Sequence, residues 1–211
     1  VYCMPLEGLP WLKREEILSY EEIVRVVRTM AGMGLERVRL TGGEPLVRRD
    51  LPDLVHMIAA VQEIEDLSLS TNAVLLAENA EALKQAGIQR LNISLDSLQA
   101  DRVDAISRRP GSYSKIMEGL DVAEQVGFTP LKINVVLIRG QNDDEIEDFA
   151  RITRERPWHI RFIELMPTGA NLDLSANSFV SCADALRRVR KIEQLEPVDG
   201  PFGNGPATYY R

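Results

Sequence analysis

Four short segments of this chain alternate, residue by residue, between apolar and polar side chains, and each is followed by a stretch of helical length. In residues 36–41, Val38 and Leu40 share one parity while Arg37, Arg39 and Thr41 share the other. Residues 67–72 set Leu67 and Leu69 against Ser68, Ser70 and Asn72. Residues 91–96 set Leu91, Ile93 and Leu95 against Asn92, Ser94 and Asp96. Residues 131–138 set Leu131, Ile133 and Val135 against Lys132 and Asn134. Side chains of a strand point alternately to its two faces, so each segment has one apolar and one polar face. A single such segment fits an antiparallel sheet with a solvated side. Four of them separated by helices fit a parallel sheet whose crossovers share one hand, with helices on the apolar face. A closed barrel fills its interior with branched apolar residues. Here the interior would hold Arg37, Arg39, Lys132 and a set of hydroxyl and amide groups, and unpaired buried charges are prohibitive. The predicted architecture is α/β: a partial, open TIM-type parallel barrel of βα units, wet inside and shaped for a large, polar, partly anionic ligand.

The intervening stretches carry helix signals. Ser19 and Glu22 form a capping box, followed by Ile23, Val26, Val27 and Met30 at helical spacing, with Gly32 and Gly34 as the stop. Asp50 opens a second helix with Pro52 in its first turn. Residues 77–86 and 113–126 read as helices stopped by Gly87 and Gly127, and residues 143–156 as another. Glu145, Glu147, Arg154 and Arg156 read as its solvated surface. A fifth strand is expected over 158–166. There His159, Arg161 and Ile163 share one parity and Glu164 and Met166 the other, so a bulge would be needed to bring all of them to one face. After Met166 the rhythm changes to a loop, a short helix over 181–190 and a turn-rich 200–205. Residues 1–170 are therefore expected to form the barrel core and 171–211 a small C-terminal appendage.

The 211 residues are 45% hydrophobic, enough for a sizeable core. The net charge of −7 argues against a general nucleic-acid binder. No apolar run is long enough to cross a bilayer. Residues 1–10 lack the basic-then-apolar pattern of a signal peptide. Cys3 and Cys182 cannot make a disulfide framework. A cytoplasmic protein with no membrane and no nucleic-acid partner is expected. Cys182 and His56 read as structural or surface residues, and His159 is given no role.

Thr41-Gly42-Gly43-Glu44-Pro45 directly follows the first strand, at the end where barrel ligands bind. Paired glycines admit close backbone approach, and a carboxylate beside them suits an ammonium group. Taken alone this is a loop like many others. Together with Val1-Tyr2-Cys3-Met4-Pro5, Arg48-Arg49-Asp50, Asn92-Ile93-Ser94-Leu95-Asp96, Lys132-Ile133-Asn134-Val135-Val136, Arg161-Phe162-Ile163-Glu164-Leu165-Met166-Pro167 and Gly205-Pro206-Ala207-Thr208-Tyr209-Tyr210-Arg211, it resembles the radical S-adenosylmethionine (SAM) superfamily. Within it the pattern is similar to the GTP 3′,8-cyclase branch of molybdenum-cofactor biosynthesis.

That resemblance implies a 4Fe-4S cluster with Cys3 as one ligand, the preceding cysteine falling just before Val1. It implies a further strand before Val1 and a second cluster held beyond Arg211, so that the other cluster ligands, and activity, lie outside this chain. It implies SAM contacts by Tyr2, Gly43, Glu44, Ser94 and Met166. GTP contacts fall to Arg39, Ser70 and Lys132, with Arg37 and Arg161 near the phosphates. The family chemistry is reductive cleavage of SAM and hydrogen abstraction from the ribose of GTP, leading to the cyclic precursor of molybdopterin. The cofactor carries the hard step while the protein positions and shields it. An electron donor and a homodimer are the further implied partners. Another radical SAM enzyme, such as a peptide modifier, or a nucleotide-binding fragment without catalysis are the competing readings.

Overall fold

The computed structural model describes residues 2, 8, 12–166, 177–198 and 207–211. The capping box forms as read. Ser19 accepts from the Glu22 amide and the Glu22 side chain accepts from the Ser19 amide, opening α1 (Tyr20–Ala31). β1 (Arg37–Leu40), α2 (Leu51–Ala59), β2 (Asp66–Thr71), α3 (Leu76–Ala86), β3 (Arg90–Ser94), α4 (Ala100–Ser107), α5 (Ser112–Gln125), β4 (Leu131–Leu137), α6 (Ile146–Ile152) and β5 (Trp158–Glu164) follow. The five strands form one sheet in sequence order, every neighbouring pair parallel. Parallel neighbours in sequence order require each crossover to return over the sheet. With a constant hand they all lie on the same side. The sheet is not closed into a barrel, in accord with the open architecture expected from its polar face.

The apolar parity is the core. Leu67, Leu69, Leu91, Ile93, Leu131, Ile133, Val135 and Leu137 are buried with Leu54, Val55, Ile58, Leu76, Leu83, Ile116 and Leu120 of the helices, and Val38 and Leu40 pack against the same cluster. α5 approaches the start of α3 closely at Gly119, where a Cβ would lie 2.7 Å from the Ala73 carbonyl oxygen and 3.0 Å from the Leu76 Cβ.

Two expectations are corrected. The helix expected over 143–156 is a short 3₁₀ turn, Asp143–Glu145, followed by α6. Glu145 is not surface but 2% exposed, its carboxylate taking Ser97 Oγ at 2.8 Å, the Leu98 amide at 2.7 Å and Arg102 at 2.8 Å. Glu147 and Arg156 are likewise paired, Glu147 with Arg188 and Arg156 with Asp121 and Glu124. β5 carries no bulge that would reconcile its two parities: the ladder runs unbroken from Leu131–Trp158 to Leu137–Glu164. Glu164 therefore keeps the parity of Phe162, and it accepts the Cys182 amide at 2.9 Å, at the start of α7 (Cys182–Val189). Ala185 and Val189 of α7 join the same hydrophobic cluster. β6 (Pro197–Val198) and β7 (Tyr209–Tyr210) make a small antiparallel ribbon. Among the described residues no helix is long and apolar enough to cross a membrane.

Candidate active site

Strand pairing aligns the polar positions into rungs across the sheet. Arg37 pairs with Asp66. Arg39, Ser68 and Arg90 form the next rung. Ser70, Asn92, Lys132 and His159 form the third, and Ser94, Asn134 and Arg161 the fourth, nearest the carboxyl ends. The predicted interior residues Arg37, Arg39, Ser70, Ser94, Lys132 and Arg161 thus share one face of a single sheet.

Arg37, Arg39, Arg90, Lys132 and Arg161 bring five cations to this face, and Asp66 is the one carboxylate among its paired positions. Arg90 grips Asp66 through Nε at 3.0 Å and through Nη2. Arg161 Nη1 donates to Asn92 Oδ1 at 3.3 Å. Lys132 is only 3% exposed. Burial first, and then the nearby Arg90, Arg161 and Arg39, hold its ammonium pKa down to about 8, with Asp66 opposing them. His159 is also lowered, by burial and by Lys132. A buried ammonium among guanidinium groups is costly, and an anion beside it lowers that cost. Polyphosphate oxygens, which arginine meets in two-pronged fashion and lysine as a point charge, fit this donor set.

At the carboxyl ends the loops converge. A Cβ on Gly42 or Gly43 would meet nothing within 4 Å, leaving the backbone open to a ligand. Glu44 ties this loop to the one after β2: Oε1 accepts from the Leu46 amide at 3.1 Å and Thr71 Oγ1 at 2.7 Å, and Oε2 from the Asn72 amide at 2.7 Å. A carboxylate has about four acceptor positions, so Glu44 retains capacity for an ammonium donor while its orientation is fixed. Ser94 is exposed at the end of β3, and Met166, beyond the end of β5, is 69% exposed.

β3 and β4 part just past Ser94 and Asn134. The Leu95 amide still reaches the Asn134 carbonyl at 3.1 Å. Beyond it, side chains replace the ladder. Asp96 Oδ1 accepts the Val136 amide at 2.8 Å, and Asn142 donates to the Asp96 and Val136 carbonyls at 2.6 and 2.8 Å while accepting the Ile138 amide at 2.7 Å. Tyr2 donates its hydroxyl to Asp96 Oδ2 at 2.8 Å, which sets it where β3 and β4 part. Burial raises the Asp96 carboxyl above its ordinary range, against the bonds from the Val136 amide and Tyr2.

Cys3 lies outside the described residues. Among those described, no group of three or more His, Cys, Asp or Glu could hold a metal ion. Cys182 lies with α7, its Sγ donating to the Phe162 carbonyl at 3.4 Å, and burial and Glu164 push its thiol up. The cation face and the open Gly43 loop thus offer donors for an anionic ligand and room for close backbone approach.

Sequence reasoning missed Arg90, Asp66 and Asn142, and placed Asp96 on the polar face without giving it a role. The first two each lie one residue before the strand starts read at Leu67 and Leu91, and the same parity carried back one step would have found them. Asn142 gave no local signal, because its partners lie at the ends of two strands.

The Radical SAM superfamily profile matches residues 1–152. GTP 3′,8-cyclase of Listeria monocytogenes serovar 1/2a is 48% identical over 212 residues, covering 100% of this chain and 63% of that protein. GTP 3′,8-cyclase of Moorella thermoacetica is 47% identical over 210 residues, covering 100% of this chain and 64% of its own length. The chain thus spans a little under two thirds of these curated relatives. Among solved structures, methylornithine synthase (PylB) aligns with a TM-score of 0.62 at 18% identity, over 83% of this chain and 52% of that one. A radical SAM methyltransferase from Sphaerobacter thermophilus aligns with a TM-score of 0.59 at 22% identity, over 82% and 52%. These two likenesses concern the fold, a TIM-type sheet of which the five described strands form part. With the profile covering most of its length, the chain belongs to the radical SAM superfamily.

Proposed function

We propose that this chain is the SAM- and nucleotide-binding core of a GTP 3′,8-cyclase, acting in molybdenum-cofactor biosynthesis. The observation that carries the reading is Lys132, buried on a face that gathers five cations in a chain of net charge −7. Such a face suits a triphosphate, and the relatives that match the whole chain bear the cyclase name. In this reading Arg39, Ser70 and Lys132 hold GTP, with Arg37 and Arg161 near its phosphates. Tyr2, Gly43, Glu44, Ser94 and Met166 hold SAM at the carboxyl ends of the strands. Cys3 is one ligand of a 4Fe-4S cluster, which when bound supplies the electron for reductive cleavage of SAM. The protein's own residues fix the two ligands side by side: the rungs running from Arg39 to Ser94 lead from the phosphate end toward the SAM end. A peptide modifier would have no use for the row of cations. The complete protein is expected to be cytoplasmic and homodimeric and to draw on an electron donor, with residues 1–170 as its barrel core and 171–211 leading toward a second cluster.

Calorimetric titration of both ligands tests the assignment. A charge-assisted hydrogen bond contributes roughly 1.5–3 kcal/mol, so Lys132→Ala should weaken GTP binding about tenfold to a hundredfold with SAM affinity nearly unchanged. Ser94→Ala or Gly43→Val should do the reverse. Unaltered GTP affinity in Lys132→Ala would remove the main physical support for a cyclase and move the peptide-modifier reading ahead.

A further inference from the structure

We infer that Arg90, held by Asp66, is a phosphate-contacting residue that makes nucleotide binding depend on the length of the phosphate chain. The inference rests on the nucleotide reading above and extends it to a residue which that reading does not use.

Register places Arg90 on the rung of Arg39, with Ser68 between them. Two strand spacings of about 4.8 Å set their backbones roughly 10 Å apart, a gap that two long side chains close around one phosphate group. This rung lies toward the amino ends of the strands, below Lys132 and farther from the open Gly43 loop and Ser94. A nucleotide whose sugar faces the SAM end therefore points its terminal phosphates here. Asp66 does not cancel the arrangement. Its carboxylate grips Nε and Nη2 of Arg90 and fixes the plane of the guanidinium, while four further cations remain on the face. The pair is three-quarters or more shielded from solvent, with side-chain exposures of 25% and 19%. A pre-positioned, poorly hydrated guanidinium loses little freedom on meeting a phosphate. Among the neighbouring cations Arg90 does most to depress the Lys132 ammonium, so the two charges lie near one another. The competing explanation is a structural ion pair that only joins the starts of β2 and β3.

The two explanations separate in the ratio of affinities for GTP and GMP, measured calorimetrically on the complete protein. Arg90→Gln should lower GTP affinity about tenfold to a hundredfold and leave GMP affinity within about twofold, so that most of the discrimination is lost. Arg90→Lys keeps a charge opposite Asp66 and guards against failure to fold. Losing the fork, it should reduce the ratio several-fold. The double variant Arg90→Gln, Asp66→Asn removes both members of the pair and should remain undiscriminating. A GTP:GMP ratio in Arg90→Gln equal to that of the unaltered protein, or equal losses for both nucleotides, would overturn the inference while leaving the cyclase reading intact. Failure of that reading looks different: the unaltered protein would bind neither nucleotide, and this inference would fall with it.

Discussion

Lys132 carries its charge at a cost, and that cost has a sign that pH can read. A lysine in an unfolded chain titrates near 10.4, whereas burial and the neighbouring guanidinium groups hold Lys132 at about 8. Between those values the unfolded chain binds the extra proton, so the stability of the ligand-free protein should rise with pH from about 8 to about 10.4. Below pH 8 the full penalty is present. Lys132→Met removes it, and the ligand-free melting temperature should rise while GTP affinity falls. A structural cation would give the opposite, a fall in melting temperature. The same group governs binding. If Lys132 holds GTP as proposed, binding needs the ammonium form, and affinity should be flat below about pH 7 and weaken by up to tenfold per pH unit above about 8. In Lys132→Met that dependence should vanish. Titrations at several pH values, with a melting curve at each, check both halves.

At the scale of elements, what was legible was what depends on local alternation. The apolar parity of β1 to β4 became the core and the polar parity became the cation face, because a strand buried on one side writes its burial into every second residue. What was illegible depended on distant partners. Glu145 looks like helix surface until Ser97, Leu98 and Arg102 are brought against it from more than forty residues away. Asn142 mends the parted ends of β3 and β4 only once both strands exist. The run 153–156 has helix-forming residues, but Pro157 biases its predecessor away from the helix, and α6 ends at Ile152. Helix packing left a trace in a glycine of α5. At Gly119 an added methyl would press on the Ala73 carbonyl, which is backbone and cannot turn aside. Gly119→Ala gains up to about 1 kcal/mol of helix propensity but should lose about 1–3 kcal/mol to overpacking, for a net destabilisation. Gly32, just past α1, has φ −62 and no atom nearer than 3.6 Å to an added Cβ. Gly32→Ala should therefore stabilise by about 0.4–1 kcal/mol. Urea midpoints should move in opposite directions for the two variants with little change in slope.

For the whole molecule, the decisive contrast is between an acidic chain, net −7, and one sheet face that concentrates its cations. One hydrophobic cluster runs from Val24 of α1 to Val189 of α7, and the apolar side of every strand that carries a site cation belongs to it or packs against it. Energy spent crowding the face should therefore appear in global unfolding rather than in a local opening. An anion that relieves the crowding binds the native state alone, because the unfolded chain scatters the cations. Its effect grows as RT ln(1 + [L]/Kd), about 2.7 kcal/mol at a hundredfold excess over Kd. For a chain of this size each kcal/mol moves the midpoint by roughly 2–4 °C. Inorganic triphosphate at saturating concentration should thus raise the melting temperature by about 5–10 °C. Sulfate at equal ionic strength should do much less, since it cannot span the rungs from Arg39 to Lys132. In a variant carrying both Arg39→Gln and Lys132→Met the triphosphate shift should disappear. SAM, bound at the carboxyl ends, should still stabilise it. Equal shifts from triphosphate and sulfate would mean that the face acts as a diffuse positive surface, and its register would then have no part in recognition. A shift from triphosphate that survives the double substitution would place the anion elsewhere on the molecule, and the rungs would lose their claim to the substrate.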